Sequence, residues 1–197
     1  MKKLSAYLFL ILFSFSASSF ADDISDFQIE GMSVGDSLLD YFNEKEINNN
    51  FLIGSYYKKN EKFFVYDSKN GASDNFEIYD GVQLILKRND KKLKINSLLG
   101  FTDYNNKIEN CYKKQNEIVK EFSNSFKELK KKDWGILSAS SFSSDINGNY
   151  KPVTFDFDNG DRIMVAFYDW SPETNWFDSL KVSIYTKEYR DFINSRK

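Results

Sequence analysis

Two tryptophans bracket a short polar turn near the carboxyl end of the chain. Trp170 and Trp176 enclose a segment containing Pro172, and Asp169 and Glu173 lie beside them. An indole offers a large apolar face and one N–H donor, while carboxylates accept hydrogen bonds. Surfaces of this composition bind sugars, peptides or protein partners. We therefore predict a binding site at Trp170, Trp176, Asp169 and Glu173; in the alternative, both indoles cap the core at a strand end.

The chain contains no histidine. Ser-His-Asp and Cys-His catalysis, HExxH zinc sites and His-ligated copper, iron or haem therefore cannot operate here. Carboxylate pairs could still hydrolyse a glycosidic bond, and Asp156, Asp158, Asp169 and Glu173 lie near aromatic residues. We assign no catalytic residue, no metal ligand and no cofactor, and we favour a non-catalytic protein over this carboxylate-based hydrolase.

A four-residue segment, Gly35-Asp36-Ser37-Leu38, resembles the signature of the GDSL lipase and esterase family. The resemblance implies a nucleophilic role for Ser37, which in that family depends on a histidine base. A serine hydroxyl without an adjacent base is a weak nucleophile. The same region predicts a helix instead, opened by a capping box of Ser33 and Asp36 and ending before Asn48-Asn49-Asn50.

A second short motif, Ser55-Tyr56-Tyr57-Lys58, resembles the Ser-x-x-Lys of penicillin-binding enzymes. In those enzymes a lysine could replace histidine as the base. The companion Ser-Asp-Asn and Lys-Thr-Gly motifs are absent from the chain, so we do not assign that activity.

An acidic run, Asp156-Phe157-Asp158-Asn159-Gly160-Asp161, resembles the start of a calcium-binding loop. An EF-hand requires glycine at its sixth position and glutamate at its twelfth, and here those positions hold Asp161 and Phe167. Asn159-Gly160 between two strand-like runs instead predicts a hairpin turn flanked by solvated carboxylates.

The amino terminus predicts export. Lys2 and Lys3 precede an apolar run over residues 4–15, and Ser19 and Ala21 supply small residues before a cleavage site. We therefore predict a signal peptide over residues 1–21 and one domain over 22–197, periplasmic or secreted, with no membrane-spanning segment after cleavage. Removing the two lysines changes the formal net charge from −2 to −4, which gives no reason to expect nucleic acid as a partner.

Only one cysteine, Cys111, is present, so the chain cannot form an internal disulfide. Cys111 belongs to an apolar stripe that recurs every three to four residues between about residue 106 and Lys131, which is typical of an amphipathic helix. We expect Lys130 to Lys132 in the last turn of this helix and a buried, inert thiol at Cys111.

The remaining pattern indicates an α+β fold. Short alternating runs separated by turn residues predict antiparallel strands, including a hairpin between residues 82–87 and 93–99. We expect the long amphipathic helix to pack across a face of the sheet, with short helices near both termini. The function predicted from the sequence is binding or an accessory role in the cell envelope, with an envelope protein or a glycan as partner.

Overall fold

The computed structural model describes residues 23–53, 61–68, 76–105 and 107–196. The predicted signal peptide, residues 1–21, and the Ser-x-x-Lys segment, residues 55–58, lie outside the described residues. Within the described part, strands dominate and one of the α-helices has 18 residues. The predicted combination of α-helix with antiparallel sheet is confirmed.

The strands are β1 (Gln28–Ile29), β2 (Met32–Ser33), β3 (Phe51–Ile53), β4 (Phe63–Ser68), β5 (Gly81–Lys87), β6 (Ile95–Asp103), β7 (Lys130–Asp133), β8 (Leu137–Ser138), β9 (Asn149–Asp156), β10 (Arg162–Asp169) and β11 (Ser179–Tyr185). The α-helices are α1 (Glu44–Asn50), α2 (Ile108–Ser125) and α3 (Lys187–Asn194), and short 3-10 helices lie at Ile24–Asp26, Leu38–Asp40 and Ala139–Ser141.

Nine of the described strands form one antiparallel sheet. Its order is β3-β4-β5-β6-β11-β10-β9-β7, and β8 also pairs with β9. The predicted hairpins β5–β6 and β9–β10 are both confirmed, and Gly160 provides the positive φ of 92° that the second turn needs. The last strand, β11, pairs with β6 on one side and β10 on the other, so it lies in the middle of the sheet.

Helix α2 lies on one face of the sheet, where it contacts β10 and β11. It buries Cys111, Gln115, Ile118 and Phe122. The Gln115 amide donates hydrogen bonds to two strand carbonyl oxygens, 2.6 Å and 3.1 Å away, which ties the helix to β9 and β10. None of the helices in the described residues is long and apolar enough to cross a membrane.

The end of α2 differs from the prediction. The helix stops at Ser125, and Lys130 to Lys132 lie in β7 rather than in a last helical turn. Phe126 leaves the helix and buries its ring against Phe27, with the ring centroids 4.9 Å apart. The lysines then pair with β9 at the sheet edge, where exposed positive charge discourages further strand pairing.

The predicted amino-terminal helix was also placed wrongly. Asp36 accepts the Ser33 N–H, but Ser33 belongs to β2, and the residues after it bond to the backbone of Leu93 and Ile95. The segment then forms the short 3-10 helix Leu38–Asp40 instead of the predicted α-helix, because these long-range bonds use backbone groups that an α-helix would need. The α-helix begins later, after a complete capping box between Asn43 and Glu46, and it includes the three asparagines expected to follow it.

Helix α3 covers one end of the opposite sheet face. Its Tyr189 and Phe192 contact Phe63 with ring centroids 5.5 Å and 5.0 Å apart. Glu188 holds the helix to the start of β4 and to β5, because Lys62, just before β4, and Lys87 in β5 each place an ammonium nitrogen 2.7 Å from its carboxylate. Burial alone would raise the pKa of Glu188, but the two lysines outweigh it and lower the pKa from 4.5 to about 2.

We expect Glu188→Gln to lower the free energy of unfolding by about 1 kcal/mol at pH 7, a small effect because the pair is partly exposed to solvent. A carboxylate with a lowered pKa stabilises the fold above its unfolded pKa, and that contribution disappears as the pH falls from 4.5 towards 2. Urea unfolding at pH 7 and pH 2 measures this difference. The control is Asp191→Asn, which removes only an exposed pair with Lys187 within α3; equal losses in both variants would contradict the prediction.

Candidate functional site

The other end of the sheet face opposite α2 is open and forms a groove. Side chains that alternate along a strand share a face, and those of β5, β6, β10 and β11 on this face form the floor of the groove. The floor residues are Gln83, Leu99, Phe101, Asp103, Tyr168, Ser179 and Lys181. Two loops, after the 3-10 helix Ala139–Ser141 and after β10, supply the walls. The groove has a volume of about 490 Å³, within the range of small-molecule sites.

Aromatic rings line one side of this groove. Tyr168 stacks on Trp170 with ring centroids 5.5 Å apart, and Trp176 meets Trp170 edge-on at 4.7 Å. Trp176 is 49% exposed and its neighbour Phe177 is 55% exposed, so these two rings do not simply cap the core. The groove therefore presents apolar ring surface to a ligand.

A buried carboxylate fastens the two wall loops together. Asp145 accepts hydrogen bonds from the Ser171 N–H at 2.8 Å and the Ser171 hydroxyl at 2.7 Å, across the gap between the loops. Within its own loop it accepts from the backbone of Asn147 at 3.1 Å and Gly148 at 2.9 Å. Burial would raise the pKa of Asp145, but these donors outweigh it and hold the pKa below 3.8.

The turn that carries the tryptophans is held by its own hydrogen bonds. The Trp170 N–H donates to the Asp178 carboxylate at 3.1 Å, and the Thr174 N–H and hydroxyl each donate to the Ser171 carbonyl at 3.0 Å. Asp178 is buried, and burial raises its pKa. These bonds hold the backbone of the turn from which Trp170 and Trp176 project.

A lysine in the middle of the sheet provides the charge at the groove floor. The Lys181 ammonium lies 4.4 Å from the centroid of the Tyr168 ring, a favourable cation–π contact. Burial lowers the pKa of Lys181, while Asp103 and Asp67 oppose that shift. Burial also raises the pKa of each of these aspartates, and Lys181 opposes the rise. The cation and the two carboxylates thus stabilise one another's charged forms.

The structure brings together three of the four residues predicted to bind. Trp170 and Trp176 line the groove, and Glu173 lines a second cavity beside it. Asp169 lies elsewhere. Because side chains alternate along β10, it points to the α2 face of the sheet, where its carboxylate accepts a hydrogen bond from the Tyr112 hydroxyl at 3.3 Å. We therefore leave Asp169 out of the site.

The other sequence candidates have structural partners. Asp156 bonds to Arg162 at 2.5 Å and 2.9 Å, and Asp158 pairs with Lys130 at 2.7 Å. The Ser37 hydroxyl donates to the Lys92 carbonyl at 2.6 Å. Within the described residues, no group of three potential metal ligands is present.

Cys111 is completely buried, as predicted, and it lies on the α2 face rather than in the groove. Burial raises the pKa of its thiol to about 12. A thiol with that pKa carries almost no thiolate near neutral pH, which makes it a poor nucleophile.

Sequence reasoning missed several groove residues. Lys181 interrupts the apolar alternation of Leu180, Val182 and Ile184, and it therefore had to point to the other face of β11. That signal could have marked Lys181. No comparable signal marks Asp103 or Phe142, because their place in the groove depends on which strands and loops become neighbours.

No family model matches the chain, and neither a curated protein nor a solved structure is significantly similar to it. Function must therefore be inferred from the residues and the geometry of the groove.

Proposed function

We propose that this protein is an exported, non-catalytic binding protein that holds a glycan of the cell envelope in the groove. The observation that carries the proposal is the exposed ring of Trp176 beside Trp170, above a floor that contains Lys181 and Asp103. The amino-terminal sequence supports export to the periplasm or the exterior.

A sugar ring suits both kinds of surface in the groove. Its C–H faces pack against aromatic rings, and its hydroxyl groups both donate and accept hydrogen bonds. Trp176 and Phe177 offer exposed rings, while Asp103, Lys181 and Asn175 offer acceptors and donors in the same cavity. A purely apolar ligand would leave the polar groups without partners.

The charges of the groove favour an uncharged ligand. Burial lowers the pKa of Lys181, and the nearby carboxylates of Asp103 and Asp67 oppose that shift by attracting its ammonium. An anionic ligand would meet the carboxylate of Asp103, and a cationic ligand would compete with Lys181 for the Tyr168 ring. A neutral polyhydroxylated ring avoids both conflicts.

The carboxylate-based hydrolase gains no support from this arrangement. Asp156 and Asp158 are paired with cations, and Asp169 lies on the other sheet face. Glu173 borders the second cavity, none of the predicted carboxylates lines the groove, and a glycosidase of this kind needs two facing carboxyl groups.

Replacing Trp176 with alanine tests the proposal. We expect binding of soluble oligosaccharides of β-1,4-linked N-acetylglucosamine or glucose to weaken at least about tenfold, as for other aromatic anchor residues. Isothermal titration calorimetry measures the loss. Because Trp176 is half exposed, its removal leaves the fold intact, which far-UV circular dichroism checks.

Trp134→Ala is the matched control. Its indole is 40% exposed but contacts Lys132 and Thr154 at the sheet edge, outside the groove. We expect this variant to bind the same sugars as the unaltered protein. Equal weakening in both variants, or binding of a peptide partner with no binding of any sugar, would contradict the proposed function.

A further inference from the structure

The groove shares a wall with a second cavity of about 510 Å³. This second cavity lies between the same two loops, and its lining residues come from residues 144–147 and 171–176. Asn175 and Trp176 border both spaces. The Trp176 indole therefore borders both the groove and the second cavity.

The two cavities differ in chemistry. Aromatic rings dominate the groove, whereas the second cavity is lined mainly by short polar side chains, with Ile146 as an exposed apolar residue. Glu173 and Asn147 are exposed there, so an acceptor and an amide are available to a ligand. A polyhydroxylated ring could be held by hydrogen bonds in the second cavity while a neighbouring ring packs in the groove.

The relative position of the two cavities is defined by the loop contacts. Asp145 joins the loops through Ser171, and the Thr174 hydroxyl accepts the Trp176 N–H at 3.4 Å while donating to the Ser171 carbonyl. A preorganised pair of subsites reduces the ordering cost for a ligand that fills both.

We propose that the ligand is an oligosaccharide of at least two units, which extends from the groove past Trp176 into the second cavity. This inference rests on the proposed function and adds to it the length and path of the ligand. It assigns Glu173 and Asn147 to the second subsite, where they determine the preference for longer chains and do not affect a single sugar in the groove.

The test is a titration of the full exported chain with oligosaccharide ladders of one to four units, one of β-1,4-linked N-acetylglucosamine and one of β-1,4-linked glucose. We expect the Kd to fall at least about tenfold between one unit and two or three units in one ladder, because a linked second contact adds to the first. Glu173→Ala should remove most of that gain, so that the Kd for two or three units approaches the Kd for one unit.

Glu121→Ala is the matched control, because Glu121 is exposed on α2, which packs on the sheet face opposite the groove. This variant should retain the full gain in affinity for the longer oligosaccharides. Equal Kd values for all chain lengths, with binding still dependent on Trp176, would overturn the two-subsite inference and leave the proposed function standing. Failure of the unaltered protein to bind any member of either ladder would overturn both.

Discussion

Gly100→Ala is expected to destabilise the fold by about 2–3 kcal/mol. Gly100 lies in β6, and a Cβ atom added there would lie 2.7–2.8 Å from three carbon atoms of the Tyr79 ring. The ring cannot easily move away, because Tyr79 is buried and its N–H donates to the Glu30 carboxylate at 2.8 Å. Without this contact, alanine would be favoured over glycine in a strand by about 0.5–1 kcal/mol, so the sign of the change reports the packing.

Urea unfolding followed by far-UV circular dichroism measures this change. A lower midpoint with an unchanged slope indicates loss of stability rather than a change in the unfolded state. Tyr79→Ala provides the control, because it removes the ring that an alanine at Gly100 would meet. The double variant should lose less than the sum of the single losses, by about 1 kcal/mol or more. A Gly100→Ala protein as stable as the unaltered one would refute the packing argument.

Asp145→Ala is expected to lower the Tm by roughly 5–10 °C and to loosen both walls of the groove. The substitution removes the acceptor for the Ser171 hydroxyl and for the N–H groups of Ser171, Asn147 and Gly148. Buried donors left without acceptors are destabilising, and the turn carrying Trp176 loses its attachment to the other loop. Differential scanning calorimetry measures the Tm.

Tryptophan fluorescence measures the loosening of the walls. In a Trp134→Phe background the emission comes from Trp170 and Trp176, and we expect Asp145→Ala to increase its quenching by acrylamide. Ser171→Ala, which removes one of the four donors, should show a smaller change in both measurements. Unchanged quenching in Asp145→Ala would show that the loops do not depend on this carboxylate.

The change in Tm caused by Asp145→Ala should also depend on pH. Its pKa is held below 3.8 in the fold, so its contribution is complete above that value and is lost as the pH falls through the lowered pKa. The difference in Tm between Asp145→Ala and the unaltered protein should therefore be full at pH 7 and shrink in acid.

The elements with strong local signals could be predicted from the sequence. The apolar stripe through Cys111, Ile118 and Phe122 predicted α2, and Asn159-Gly160 predicted the β9–β10 hairpin. The lysines at 130–132 misled the prediction of the helix end. Their charge suits either the last turn of a helix or an exposed edge strand, and pairing with β9 decides between them.

The candidate site could be predicted only in part. Trp170, Trp176 and Glu173 are close in sequence and stay close in the structure, so composition sufficed to find them. Asp169 is adjacent to Trp170 yet lies on the other sheet face, because successive strand residues point in opposite directions. Which face of the sheet is open depends on where α2 packs, and that is decided by the tertiary structure.

The sequence by itself determined the absence of histidine chemistry, the single buried cysteine, the antiparallel hairpins and the tryptophan turn, because each depends on residue type or on neighbours along the chain. Tertiary structure alone decided that β11 lies between β6 and β10, which places Lys181 beside Asp103 and Tyr168. It also decided that Asp145 meets Ser171. Such contacts depend on which strands pair across long sequence separations, and the local propensities of the residues do not specify that pairing.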